Sequence, residues 1–248
     1  MSDKVAIVTG GAQGIGLGIA RALLDKGHRV AIWDRDASAL AALPAMLGHL
    51  AERACGQNVD VTDGASVTAA LAAVTAQWQA PEILINNAGI TRDKRIVNMD
   101  EADWDMVLNV NLKSQFLCCK AVIPGMVAAG FGRIVNISSR AWLGGFGQAN
   151  YAAAKGGVVS LTRTLAIEYA RKGITVNAVA PGIVETPLMA GYTKEQRERL
   201  EQTVPMGRIG QAADIAGAVA FFADAANAYV TGQLLYVCGG RSLSSPSV

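Results

Sequence analysis

Charge, histidine and aromatic side chains are all scarce in this 248-residue chain, and each shortage removes a class of function. Charged residues make up 17%, against roughly 25% in an average soluble protein. The net charge is +2 with no basic block, and aromatics reach only 6%, so neither a nucleic-acid groove nor a membrane-surface patch has the residues it needs. No apolar run attains the roughly 18 residues of a membrane span. The opening MSDKVAIVTG runs straight into a strand-like segment without an export signal, so a cytoplasmic location is expected. Two histidines, His28 and His49, stand apart from each other and from the four cysteines, Cys55, Cys118, Cys119 and Cys238, which form no CxxC pair. No metal site is expected, and the cysteines read as reduced structural thiols.

Apolar residues are plentiful, at 51%. That surplus fits helices covering both faces of a buried sheet, together with apolar faces hidden between subunits. Short β-branched runs at 5–9, 29–33, 82–86, 133–138, 174–179 and 233–237, with a weaker one at 53–61, alternate with helical stretches such as 16–26, 65–77, 111–128 and 149–171. The pattern predicts an α/β fold, a doubly wound parallel sheet in one domain spanning 1–248. Residues 183–205 break the rhythm with two prolines and the charged run KEQRERL. Ligands of such sheets bind beyond the carboxyl ends of the strands, so this segment is expected to act as a lid over the substrate.

TGGAQGIG at 9–16 lies between the first strand and the first helix. Gly10 permits a tight turn, Gly14 lets the backbone approach a pyrophosphate, and Gly16 allows close packing, while the helix N-terminus offers N–H groups to the anion. Asp34 ends the second strand near the spacing of about 20 residues at which an acid meets an adenosine ribose. A carboxylate there accepts from the ribose hydroxyls and repels a 2′-phosphate, which favours NAD over NADP. Uncharged Gln13 supports NAD, whereas Arg35 has a guanidinium able to pair with a phosphate. The structural alternative for Asp34 is a strand-end turn or helix cap.

Tyr151 and Lys155, four apart in NYAAAKGG, share one helix face. An ammonium beside a phenol stabilises the phenolate and lowers the tyrosine pKa, which makes a proton acceptor usable near neutral pH. The pair follows, in order, the glycine turn, NNAG (86–89), Asn111 in NVNLKS and ISS (137–139), and precedes PG (181–182). Over essentially the whole chain this order resembles the short-chain dehydrogenase/reductase family. Within it, NAGITRD and GQANYAAAKGG resemble the branch of 3-oxoacyl-carrier-protein and acetoacetyl-CoA reductases. The resemblance implies a Rossmann-type sheet of about seven strands and a homotetramer paired through the helices of Asn111 and Tyr151 and the C-terminal region.

By the same resemblance Tyr151 is the general acid/base, Lys155 lowers its pKa and bonds the nicotinamide ribose, Ser139 binds the substrate oxygen, and Asn111 holds a water that relays protons from Lys155. Counting from Gly132-Arg133 places the family's serine at Ser139, leaving Ser138 as a strand-end hydroxyl that meets backbone. Asp60 and Val61 are expected at the adenine, with a turn residue as the alternative for Asp60. Asn87, Ala88 and Gly89 are expected along the adenosine, and Ile15, Pro181, Gly182, Val184 and Thr186 around the nicotinamide. Two departures from the family pattern stand out. Cys238 occupies a position where aspartate is common, and Arg140 and Trp142 follow Ser139 in place of small residues. Trp142 is expected either to wall a cavity for a flat hydrophobic substrate or to pack on a neighbouring loop.

The expected function is oxidoreduction between NAD and a hydrophobic, aromatic or alicyclic secondary alcohol/ketone pair. One alternative is a 3-oxoacyl-ACP or acetoacetyl-CoA reductase, for which Arg92, Lys94, Arg133 and Lys172 would form a basic entrance. Another is a non-catalytic dinucleotide sensor, whose expected mark is loss of Tyr151, Lys155 or the serine.

Overall fold

Runs of apolar residues without polar alternation become strands covered on both faces. The computed structural model describes residues 3–186, 189 and 191–243. Its strands are β1 (Val5–Thr9), β2 (Arg29–Asp34), β3 (Ala54–Asn58), β4 (Ile83–Asn86), β5 (Gly132–Ile137), β6 (Ile174–Pro181) and β7 (Leu234–Val237). They form one seven-stranded sheet in the order β3-β2-β1-β4-β5-β6-β7, every pair parallel. Successive side chains of a strand point to opposite faces. Ala6 and Val8 of β1 therefore join one core, with Leu23, Ile215 and Phe222, while Val5 and Ile7 join the other, with Val74, Val122 and Met126. The faint strand signal at 53–61 has a physical source: β3 is an edge strand, and its ACGQN sequence is only partly covered.

The helices are α1 (Gly14–Asp25), α2 (Ala37–Leu47), α3 (Gly64–Gln77), α4 (Glu101–Leu108), α5 (Ser114–Ala129), α6 (Ala149–Tyr169), α7 (Lys194–Gln202) and α8 (Ala212–Ala223). The stretch expected as one helix from 111 begins differently. A π-helical turn, Asn109–Lys113, joins α4 to α5 and carries Asn111. Past Tyr169, α6 tightens into a 3₁₀ turn, Ala170–Lys172. Within 183–205, α7 is closed at its start by a capping box from Thr193 and Gln196. Arg197 of α7 pairs with both carboxylate oxygens of Glu185, at 2.7 and 2.9 Å. Part of the expected lid, residues 187, 188 and 190, lies outside the described residues. No helix among those described is long and apolar enough to cross a membrane.

A buried polar strut ties the sheet to α6 just below the strand ends. Asn86 Nδ2 donates to Asn136 Oδ1 at 2.8 Å, and Asn136 Nδ2 donates to Thr162 Oγ1 at 2.9 Å. Asn86 and Asn136 are register partners on β4 and β5. Asn136→Ala removes the middle of this strut, leaving Asn86 Nδ2 only the Cys119 sulfur at 3.3 Å, and is expected to cost about 1–3 kcal/mol. Urea denaturation checks it, since an unchanged midpoint would mean that the strut carries no stability.

Candidate active site

The strand order reverses between β1 and β4, and the chain leaves both strands at their carboxyl ends there. A cavity of about 1060 Å³ opens at this switch point. The turn from β1 into α1 needs glycine: Gly10 and Gly14 have φ of +59° and +52°. A Cβ on Gly16 would lie 2.1 Å from the Gly10 carbonyl oxygen, so α1 approaches the turn as closely as a glycine allows. Asn87, the first residue after β4, fastens the two loops together. Its Nδ2 donates to the carbonyls of Thr9 and Gly10 at 3.0 and 2.9 Å, while Thr9 Oγ1 accepts from the N–H groups of Asn87 and Ala88 at 3.0 and 3.1 Å. The Thr9 role went unread in the sequence, although a hydroxyl closing an apolar strand was the available signal.

Gln13, at the N-cap of α1, makes no side-chain capping bond, and the first turn holds no acid. The leading N–H groups and the positive end of α1 therefore suit an anion. Together with the glycine cradle, this fits the pyrophosphate of a dinucleotide. Asp34 accepts from Ala12 N–H through Oδ2 and from Asp36 N–H through Oδ1, both at 3.1 Å. It thus braces the glycine turn while lining the cavity. Asp60 Oδ1 accepts from the N–H and hydroxyl of Thr62 at 2.9 and 2.7 Å, so it closes a turn as well as lining the cavity. Those Thr62 bonds, aided by the charge of Arg35, hold the Asp60 carboxyl below the usual carboxylate range.

At the other end, α6 brings Tyr151 and Lys155 under the carboxyl end of β5. The Lys155 ammonium lies 5.6 Å from the Tyr151 ring centroid and donates to the Ile137 carbonyl at 2.8 Å. The two serines after β5 have different partners. Ser138 is buried and its Oγ donates to the Lys155 carbonyl at 2.9 Å, whereas the Ser139 hydroxyl hydrogen-bonds Tyr151 and accepts from Ala141 N–H at 3.1 Å.

The electrostatics correct the expectation of a simply lowered phenol. Burial pushes the Tyr151 phenol above its ordinary value, the Ser139 bond pulls it down, and the charge of Asp93 adds to the rise. Lys155 is only 2% exposed, and burial brings its ammonium down to about 7. The two shifts move apart, so Lys155 loses its proton before Tyr151 does. Once the pair has lost one proton, phenol with amine and phenolate with ammonium are tautomers of the same state, so the proton lost near pH 7 leaves the phenol oxygen able to accept another.

Every residue expected to hold the dinucleotide lines the cavity: Gly10, Gln13, Gly14, Ile15, Gly16, Asp34, Arg35, Asp60, Val61, Asn87, Ala88, Gly89, Tyr151, Lys155, Pro181, Gly182, Val184 and Thr186. Ser138 and Ser139 both line it too, and Asp36 joins without having been foreseen. Asn111 stands behind the wall. Its Nδ2 donates to the carbonyls of Ile90 and Val107, each at 2.9 Å, and its Oδ1 accepts from Ile90 N–H at 3.2 Å. Both amide donors are spent on backbone, so its side chain positions the 87–90 loop, and any water it holds must sit on an acceptor oxygen. Trp142 is not among the lining residues either. Ser139 caps a 3₁₀ turn, Arg140–Leu143, which carries the indole away, and its buried Nε1 has no partner among the described residues.

The basic entrance fails as a cluster. Arg133 is buried at the amino end of β5, bonded to the carbonyls of Gly132 and Gly173. Lys172 lies beyond the far end of α6, roughly 25 Å along the helix from Lys155. Lys94 pairs with Asp100 and Asp103 at 2.8 Å each, and Arg92 lies 3.9 Å from Asp103. Cys238 lies at the end of β7, where its Sγ accepts from Ser242 N–H at 3.4 Å.

A glycine-cradled anion site at a switch point, with a tyrosine, a lysine and a serine at its inner end, defines an oxidoreductase that works with a nicotinamide dinucleotide. Comparison with known proteins agrees. A family model described as enoyl-(acyl carrier protein) reductase matches residues 10–242. A (2S)-((R)-hydroxy(phenyl)methyl)succinyl-CoA dehydrogenase subunit of Thauera aromatica is 44% identical over 243 residues, 98% of each chain. A 3-oxoacyl-(acyl-carrier-protein) reductase of Vibrio cholerae is 42% identical over 241 residues, 97% of this chain and 98% of that one. The crystal structure of a levodione reductase superposes with a TM-score of 0.93 at 33% identity, covering 99% of this chain and 100% of that one. The chain belongs to the short-chain dehydrogenase/reductase family.

The two serines give a direct check on this geometry. Ser139→Ala removes the hydroxyl beside Tyr151 and is expected to lower kcat by about a hundredfold or more, with the melting temperature nearly unchanged. Ser138→Ala is expected to show the reverse balance, a lower melting temperature and mostly retained kcat. Loss of turnover in Ser138→Ala alone would shift the site by one residue.

Proposed function

We propose that this oxidoreductase is NAD-dependent and interconverts a hydrophobic secondary alcohol and its ketone, aromatic or alicyclic substrates included, as a cytoplasmic homotetramer. The observation that carries the chemistry is the pairing of Tyr151 with a buried Lys155 beside Ser139 at the cavity. A nicotinamide dinucleotide bound along the glycine turn accepts a hydride from the carbinol carbon or returns it to the carbonyl. Tyr151 takes the alcohol proton onto its phenolate oxygen as the carbonyl forms, and in reduction gives that proton back. Ser139 holds the substrate oxygen against Tyr151, and Lys155, charged, stabilises the phenolate. Asn111 holds the loop that positions Gly89 beside Lys155, and a relay water would rest on one of its acceptor oxygens. Residues 183–205 cover the substrate, with Val184 and Thr186 facing the nicotinamide. Asp34 at the ribose supports NAD. Exposed apolar side chains on α5 and α6, Phe116 and Ile167, support subunit pairing through those helices.

A second reading, reduction or oxidation of a 3-hydroxyacyl or 3-oxoacyl thioester, is supported by the two relatives named for CoA- and carrier-protein-linked substrates. The neutralised Arg92 and Lys94 and the remote Arg133 and Lys172 weigh against a strongly basic carrier-protein dock. The first of those relatives joins both readings, because its name describes a phenyl-bearing alcohol on a CoA thioester.

Oxidation of free and CoA-linked secondary alcohols with NAD, followed across pH, tests the proposal. The rate is expected to fall as pH drops through about 7, where the Tyr151–Lys155 pair takes up its second proton. Tyr151→Phe should lose about a hundredfold to ten-thousandfold in kcat at every pH. A rate that stays flat into acid when chemistry is limiting, or activity confined to NADP, would contradict it.

A further inference from the structure

Asn150, the residue before Tyr151, is wholly buried, and its side-chain amide is bonded on both sides. Nδ2 donates to the Arg92 carbonyl at 3.1 Å and to the Asp103 carbonyl at 3.3 Å, while Oδ1 accepts from the Tyr151 N–H at 2.7 Å. That N–H lies in the first turn of α6, where no carbonyl of the helix itself can reach it. One amide therefore joins three parts of the fold: the loop after β4, helix α4, and the start of the helix that carries the phenol.

The loop so joined walls the cavity through Gly89, Ile90 and Thr91, and Ile90 is already tied to Asn111. Further along, the Lys94 N–H donates to the Gly147 carbonyl at 2.8 Å, and Gln148 Nε2 donates to Asp93 Oδ2 at 2.7 Å. Asn150 makes the inner bonds of this seam, directly at the Tyr151 backbone. Lys155 has separate anchors, its ammonium on the Ile137 carbonyl and its own carbonyl on Ser138. Loosening the helix start would thus displace the phenol relative to Ser139 and Lys155 while the lysine stays in place.

We propose that Asn150 is a positioning residue for the proton transfer: it locks the Tyr151 backbone to the loop after β4 and to α4, and so sets where the phenol oxygen meets Ser139 and the substrate. This rests on reading Tyr151 as the acid/base.

The test compares steady-state alcohol oxidation and NADH dissociation constants for the intact protein, Asn150→Ala, Tyr151→Phe and the double variant. Asn150→Ala is expected to lower kcat about tenfold to a hundredfold, the cost of misplacing a reacting group by on the order of 1 Å, with KM and the NADH constant within about threefold. In the Tyr151→Phe background the same substitution should leave the residual turnover almost unchanged, because the oxygen it positions is gone. Asn150→Asp, which keeps the shape and an acceptor for the Tyr151 N–H, carries the same comparison if the alanine form does not fold. An equal loss in both backgrounds would show general damage to the fold and overturn the proposal. So would an undiminished kcat, or a loss confined to KM. The Tyr151→Phe result stands apart: full turnover there would remove the acid/base reading, whatever Asn150 does.

Discussion

Lys155 gives up almost all of its water and receives one carbonyl, that of Ile137, in return. An ammonium so placed is costly unless something nearby takes negative charge, and the phenol of Tyr151, one helical turn away, is the group able to do so. The surrounding structure holds the lysine there. Ser138 bonds the Lys155 backbone, and Gly89 lies beside the Nζ, which would be 3.5 Å from a Cβ at that position. A Cβ at Gly89 would press on Asn111 Oδ1 at 2.6 Å, so the glycine lets this loop lie against Asn111, to which the next residue, Ile90, is tied.

The parallel sheet brings this proton-handling end to the anion-binding end. β1 and β4 are adjacent, so the glycine turn and the 87–89 loop share a wall, while β5 and β6 deliver Ser139, Pro181 and Gly182 alongside. The Asn87 bonds to Thr9 and Gly10 fix the spacing between the first two. The sheet thus sets the distance between the two ends of the cavity before any ligand arrives.

Much of this could be read from the residues. Buried strands declare themselves through β-branched runs, and the Tyr151–Lys155 spacing and the glycine turn are local patterns with local consequences. What could not be read depended on direction and burial. Whether Asn111 faces a cavity or a backbone is decided by the π turn and by the Ile90 loop, which lies far from it in sequence. Trp142 rides on a turn capped by Ser139 and does not line the cavity. Arg133 looks like any surface cation until β5 is known to bury it. The direction in which Tyr151 and Lys155 shift depends on desolvation, to which residue spacing is blind. Asp36 carries no local signal, and its bond to Gln13 connects it with the nucleotide end.

Titration of the Lys155 side chain itself is the most direct test, by following the ¹³Cε and ¹⁵Nζ shifts of selectively labelled lysine, assigned by comparison with Lys155→Met. An ammonium destabilised by its burial predicts an inflection near 7. An inflection at the ordinary lysine value of about 10.4 would show a solvated, independent charge and would contradict the account.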